Sequence, residues 1–513
     1  MAKNLVYDIH DKPKLGNLII FAIQQLLAIM AATIAVPVII GIPTQIPAAI
    51  FGAGVGTLIY QLFTKFKSPV FLGSSFAFIS SLFVAITYGY CGIVLGSVVA
   101  GLVYVVIALI IKLVGTEWVN KLMPPVIIGP TVAVIGLSLA GNAMGDMVKS
   151  NVLNSSQALA NPPAQFGQGN WFAIGDYNLI ALLCGLVTFA VVVICSTQKR
   201  FQMPRLIPFI IGIVAGYATA SIFTVIGTVA NIEYFKIINW QPVIDNFSAD
   251  RIANMTAFFQ VPDLALVEAI KELITGSSSL QGASWLIYTQ DVQGSIANVI
   301  AVIVAFLPVA LVVFAEHIAD HKNLSTIIDR DLIKDPGLSR TLLGDGVGSV
   351  AGTMLGVCPN TTYGESVGCV AITGNASVIT ITVTAIMCLI LPFFNPLMIV
   401  LQTIPSCVMG GVCLTLYGFI AVSGLKMIKD VDLNENKNLF VVSAILIAGI
   451  GGLAIQVPYV IEPVMGLNKD GVEISVTTMK KFIQITPVAT ALIIGIITNL
   501  VLSKFDKEKK KDQ

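Results

Sequence analysis

The charges of this chain are distributed in a way that leaves few folds open to it. No Asp, Glu, Lys or Arg occurs in residues 15–64, 68–111, 206–232 or 438–461. A bilayer crossing takes roughly twenty consecutive apolar residues, and each of these stretches holds one or two such runs. Of 513 residues, 56% are hydrophobic and 11% charged, with a mean hydropathy of +0.88. A water-soluble core does not absorb that much apolar surface. Splitting the runs at Gly, Pro and polar breaks predicts an all-α polytopic membrane protein of about fourteen spans, the shortest near 343–375.

A net charge of +1 supplies no basic patch for nucleic acid. The eight cysteines lie in or beside apolar runs without metal-ligand spacing and read as small core residues. No nucleophile elbow, phosphate loop or metal-ligand cluster is present, so no cofactor and no metal is implied. The polar stretch MAKNLVYDIHDKPK is too long for the first region of a cleaved signal, which predicts a retained first span.

Lys and Arg concentrate in alternate connections: Lys65 and Lys67, Lys112 and Lys121, Lys199, Arg200 and Arg205, Lys322 to Arg340, and Lys426 and Lys429. The excess of positive charge on the inner side predicts an inner-membrane protein with both termini in the cytoplasm and an even number of spans. Two long segments, about 142–176 and 229–291, then face outward. The second carries Trp240 and Trp285 and reads either as a folded loop at the interface or as a spacer between two halves.

The halves look related. PPVIIGPTVAVIGLSLAG at 124–141 and PSCVMGGVCLTLYGFIAVSG at 405–424 each set small residues and glycines after a Pro. PVFLGSSFAFIS at 69–80 and GVCPNTTYGESVGCVAIT at 356–373 are polar interruptions that precede them by similar intervals. Seven spans per half, an odd number, would place homologous halves in opposite orientation, and paired broken segments are where such folds put their ligand. Non-helical backbone survives at membrane depth only against protein or a water-filled cavity. GSSFAF (73–78) and PNTTYGE (359–365) therefore read either as a pair of ordinary loops or as a site. In the second reading each precedes a half-helix whose positive end faces the ligand, and Phe76 and Tyr363 offer faces to a planar ring.

Glu365 is the only charged residue between Asp345 and Lys426. An ionisable group inside a membrane is costly unless paired, neutralised or used, which makes it a candidate for function. Glu316 ends an uncharged run from Val292 through Ala315. Hydropathy allows Glu316, His317, Asp320, His321 and Lys322 to be simply the wet end of a span. It also allows Glu316 and Asp320, four apart on one helical face, to bind a donor and carry a proton. Two carboxylate acceptors beside amide donors suit a small planar ligand rich in N–H and C=O groups. A channel with a broken-helix filter and an intramembrane enzyme using Glu316 and Asp320 are the rival classes.

On QQLLAIMAATIAVPV (24–38), LGSSFAFIS (72–80), LPVALVVFAEHIADH (307–321) and CPNTTYGESVGCVAITG (358–374), the chain resembles the nucleobase–ascorbate transporter family, and within it the uracil-transporting branch. The last segment holds that family's signature at Glu365, Ser366, Gly368 and Thr373. The resemblance implies a seven-plus-seven inverted repeat with short extended stretches in spans 3 and 10. It implies a core of residues 1–115 and 292–395, a gate of 116–230 and 396–513 with a cytoplasmic tail, and an external loop at 231–291. Glu316 and Glu365 would bond the base, the amides of Phe76 and Gly364 would meet its carbonyls, and Ala32, Tyr363 and Tyr417 would pack on its ring. Gln25, Ser75 and Ser366 would support them. The implied activity is uracil import by proton symport, with a purine as the alternative substrate and a homodimer through the gate. Three positions depart from the branch: Asp320 and Gln25 stand where His is usual, and Ser366 where Asn is. Asp320, with Glu316, becomes the candidate for proton coupling.

Overall fold

The computed structural model describes residues 5–149, 178–198, 200, 204–205, 207–278, 280, 296–429, 431–467 and 473–509, with backbone alone at 459–467, 473–482 and 505–509. Trp285, Lys199 and most of the 142–176 segment lie outside the described residues.

Within the bilayer a backbone must satisfy its own hydrogen bonds, and the apolar runs accordingly form helices. Nine helical stretches among the described residues are long and apolar enough to cross a membrane by length and composition, with shorter apolar helices at Val378–Phe393 and Asn436–Ile450. In the first half these are α1 (Leu15–Ile39), α2 (Ile46–Phe63), α3 (Ile79–Ala85) preceded by strand β1 (Leu72–Ser74), α4 (Gly89–Val114), α5 (Pro125–Ser138) continued by α6 (Ala140–Met147), α7 (Leu179–Thr197) and α8 (Pro208–Val229). A connecting segment carries α9 (Ala265–Thr275). The second half runs α10 (Ile296–Ile328), α11 (Leu338–Met354), strand β2 (Asn360–Thr362) with α12 (Gly364–Thr373), and α13 (Val378–Ile390). The short α14 (Asn395–Gln402) leads to α15 (Ser406–Ile428), α16 (Asn436–Ile450) and α17 (Pro487–Lys509).

The inverted repeat is visible in which elements touch. The pairs α2 with α11, β1 with β2, and α5 with α15 each join equivalent positions of the two halves. Four further contacts each occur twice. The contact of α4 with α11 is matched by α13 with α2, α10 with α4 by α1 with α13, α7 with α15 by α16 with α5, and α7 with α8 by α16 with α17. Even the weaker contacts of α1 with α8 and α15 are answered by those of α10 with α17 and α5. Both related pairs noted in the sequence therefore meet in space.

Glycine sets how closely the central pairs approach. A Cβ on Gly52 would be driven into the carbonyl of Gly352 across the α2–α11 contact, and one on Gly56 would lie 2.9 Å from the Gly348 carbonyl. At the α5–α15 contact, Gly424 meets Gly129 and Ala133 in the same way. With lipid as apolar as the side chains, such backbone approach is what holds membrane helices together.

One charge-free run departs from expectation. Residues 438–461 do not supply a full crossing: α16 ends at Ile450, Gly451 and Gly452 follow, the latter at φ 72°, and a hairpin of β3 (Ile455–Leu467) and β4 (Glu473–Ile485) takes over. The glycines stop the helix, and the β-branched residues after them favour strand. All eight cysteines are unpaired, and six are buried.

Because the α2–α11 contact leaves no room for a methyl group, Gly52→Ala is expected to lower the apparent melting temperature of detergent-solubilised protein by several degrees, about 1–3 kcal/mol of overpacking. Gly16→Ala, with nothing within 4 Å, is the control. Equal melting of the two variants would refute the close-packing account.

Candidate functional site

The two broken segments satisfy each other. Strands β1 and β2 pair antiparallel with Leu72 opposite Thr362, Gly73 opposite Thr361 and Ser74 opposite Asn360. The Ser75 amide donates to the Pro359 carbonyl at 3.0 Å, and the Tyr363 amide to the Phe71 carbonyl at 3.2 Å. After Ser75 a 3-10 turn at Phe76–Phe78 leads into α3, and after Tyr363 the chain enters α12 at Gly364. Gly364 and Glu365 thus stand in the first turn of a helix, where backbone N–H groups have no partner within the helix and the dipole is positive.

Side chains lock this crossing. The Tyr363 ring lies against Gly73, where a Cβ would collide with it. The Tyr363 hydroxyl donates to the Ser74 carbonyl at 2.9 Å, and Thr33 of α1, next to Ala32, donates to that hydroxyl at 3.4 Å. Gln25 Nε2 donates to Ser366 Oγ at 2.6 Å, so two of the expected supporting residues pair directly across α1 and α12.

The acidic residues come from α10 and α12. Helix α10 continues to Ile328, well past Glu316, and His317, Asp320 and His321 are buried. This disposes of the wet-end reading. Asp320 accepts from Thr362 Oγ1 at 2.7 Å through Oδ2. Its other oxygen is the nearest atom a Cβ on Gly364 would meet, at 3.8 Å. Asp320 therefore lies directly beside the start of α12. Glu316 Oε2 and Ser75 Oγ are buried with no hydrogen-bond partner among the described residues. Tyr417 of α15 meets Phe76 edge to face at 5.4 Å between ring centroids.

The sequence reading missed a second polar layer beneath the site. His317 Nδ1 bonds Asp345 Oδ2 at 2.7 Å, and its Nε2 bonds Thr341 Oγ1 at 3.0 Å. Thr361 donates to Asp345 Oδ2 at 3.2 Å. His321 Nε2 bonds the Tyr60 hydroxyl at 2.7 Å, which also bonds Ser68 at 2.8 Å. Alternate residues of a strand face opposite ways, so Thr361 engages Asp345 while Thr362 engages Asp320. A Thr-Thr pair after Asn360 was the available signal, yet a threonine in an apolar run has no signature that distinguishes it from packing.

A multi-pass helical bundle, with acidic side chains gathered at the crossing of two broken helices, defines a membrane transporter. The chain belongs to the permease family, whose model matches residues 16–457. It is 35% identical over 500 residues to the uracil permease of Bacillus caldolyticus, covering 97% of this chain and 94% of that one. To the uracil permease of Bacillus subtilis strain 168 it is 33% identical over 510 residues, covering 99% and 97%. Its fold is similar to the transmembrane domain of a cyanobacterial bicarbonate transporter, with a TM-score of 0.51 at 14% identity over 86% of this chain and 98% of that one. Family and fold together class the protein as a transporter and not an enzyme.

Replacing Thr362 by Val removes the hydroxyl that Asp320 accepts from and leaves a buried carboxylate oxygen unsatisfied, at a cost of about 1–3 kcal/mol. We expect Thr362→Val to lower the apparent melting temperature by several degrees and Thr362→Ser to restore it. Identical melting of the Val variant and the unmodified protein would show that the bond carries no stability.

Proposed function

We propose that this protein imports uracil across the cytoplasmic membrane by proton symport through alternating access. The observation that carries the reading is the set of polar atoms gathered at the β1–β2 crossing. Glu316 Oε2 and Ser75 Oγ lack protein partners there, beside the first turn of α12 with Glu365 and the Phe76–Tyr417 ring pair. Acceptors, amide donors and aromatic faces are what a pyrimidine's alternating N–H and C=O groups require. The relatives named above as uracil permeases support the same substrate.

In this reading Glu316 and Glu365 accept the ring N–H groups, and the Phe76 and Gly364 amides donate to its carbonyls. Ala32, Tyr363 and Tyr417 flank the ring, and Gln25 holds Ser366. The α1–α4 and α10–α13 elements form a core that carries the ligand, and α5–α8 with α15–α17 form the gate it moves against, with the domain limits given by the sequence. In this reading the chain crosses the membrane about fourteen times, the short elements such as α16 completing a crossing with the residues that flank them, both termini are cytoplasmic, and two copies pair through the gate. Asp320, joined to the strand by Thr362 and adjacent to Gly364, carries the coupled proton, with Glu316 as the second candidate.

The Glu365→Gln variant is expected to insert and fold normally while losing or respecifying uptake, since its carboxylate serves the ligand and not the fold. Near-normal uracil uptake would remove Glu365 from the site. Asp320→Asn keeps the shape and cannot titrate, so it should impair uphill accumulation more than equilibrium binding. Unchanged concentrative uptake over about pH 5 to 8 would exclude Asp320 as the carrier.

Competition identifies the base. Uracil and 5-substituted uracils keep both ring N–H groups and should displace labelled uracil. N-methylated uracils and cytosine lose a donor opposite a buried carboxylate, which costs at least about tenfold in affinity. Displacement by xanthine at lower concentration than by uracil would move the assignment to a purine while leaving the site in place.

A further inference from the structure

Three stretches of chain join the proposed core to the proposed gate, and two of them meet on one face. The first runs from α8 to α10, the second from α13 through α14 to α15. The third passes through a short helix at Glu117–Leu122, beyond the far end of α4. The near end of α4 lies on the face of the first two, because Glu272 of α9 is buried there and accepts from the amides of Tyr90 at 3.0 Å and Cys91 at 2.9 Å. The 26 residues of α4 put the third connection about 39 Å away.

The described part of the first connection, residues 230–278, is docked on both sides. On the gate side, the Ile237 and Ile238 amides donate to Thr224 Oγ1 of α8 at 3.1 and 3.0 Å, and Trp240 packs on Tyr217 at 5.7 Å. On the core side, besides the Glu272 contacts, the Ala265 amide donates to the Gly356 carbonyl at 3.2 Å, and Gln45 donates to Asp263 at 2.9 Å. Between them lie two short helices, Gln241–Asn246 and Ala249–Ala253, and a left-handed Met255 at φ 60°.

That intervening stretch is bonded to the second connection. Asn395 Nδ2 donates to Asn246 Oδ1 at 2.7 Å and to the Thr256 carbonyl at 2.9 Å, and Asn246 Nδ2 donates to the Ala257 carbonyl at 3.1 Å. The Asn395 amide reaches the Phe258 carbonyl at 3.0 Å, and the Gln260 amide reaches the Phe393 carbonyl at 3.1 Å. Asn246 and Asn395 are both buried.

We propose that the Asn246–Asn395 clasp makes these two connections a single hinge, so that they travel together when core moves against gate. Asn395 is then a positioning residue for the transport movement and not for ligand binding. This inference rests on the division into core and gate given under Proposed function. The physical ground is the cost of the alternative, since parting the connections would strip partners from buried amides, whereas moving them together leaves every bond intact. An ordinary loop contact that only adds stability would leave the transport rate untouched once the protein is folded.

The test separates rate from binding. In proteoliposomes, Asn395→Ala and Asn246→Ala should slow uracil uptake by about fivefold or more, as expected when a conformational step limits turnover. Equilibrium binding of uracil to the purified variants should stay within about twofold. Unchanged uptake in both variants would overturn the proposal. Hydrogen exchange on the unmodified protein needs no variant: the Asn395 and Gln260 amides should exchange slowly with and without uracil. Fast exchange without ligand, or a loss of protection on adding it, would mean the clasp is open or opens, and would also overturn the proposal. Failure of uracil to bind the unmodified protein would instead count against the functional reading, and the ligand-free exchange would still decide the clasp.

Discussion

The pairing of two three-residue strands at the centre of the bundle is the interaction on which the rest depends. A helix broken inside a membrane exposes backbone groups that lipid cannot satisfy. Here each break is satisfied by the other: Leu72–Ser74 against Asn360–Thr362, with Ser75 bonding Pro359 and Tyr363 bonding Phe71 at the ends. Neither half of the chain could keep its break alone. The inverted repeat is thus a requirement of the site as well as a description of the fold, because the equivalent break from the opposite orientation meets it antiparallel.

From that crossing the chemistry follows in layers. Two half-helices begin beside it and supply donors. Helix α10 runs past it and supplies Glu316 and Asp320, the latter tied to the strand through Thr362. Beneath, His317 and Asp345 hold Thr361. The strand is therefore gripped through two successive side chains by two carboxylates on different helices. A change of charge at Asp320 acts on the strand and on the start of α12 together, which is the physical link our account makes between a proton and the ligand. Phe76 and Tyr417 meet edge to face beside the crossing, and in the proposed reading a movement of gate against core would reshape the site there.

Much of this was legible in the sequence because membrane burial makes rare events conspicuous. Glu365, the one charge in a stretch of eighty residues, could be singled out by type, Gln25 and Ser366 entered through the family resemblance, and the polar, Gly-containing interruptions marked both breaks. Burial of Asp320, His317 and His321 was not legible, since an acid–base cluster at the end of an apolar run has the same pattern whether the helix stops there or continues to Ile328. Threonines 361 and 362 were silent because hydroxyls are common in buried helices and strands. The hairpin at 455–485 was missed for a different reason: a charge-free run reads as a span until one notes that Gly451 and Gly452 end the helix and that Val and Ile recur in the residues beyond. The clasp at Asn246 and Asn395 joins positions far apart in the chain, which no local pattern reports.

A structure of the protein with uracil bound tests the central claim most directly. Our account predicts the pyrimidine ring at the β1–β2 crossing, with ring N–H groups on the carboxylates of Glu316 and Glu365, carbonyls at the Phe76 and Gly364 amides, and Tyr417 against its face. Density for the base elsewhere in the bundle, or at the crossing without contact to either glutamate, would contradict it.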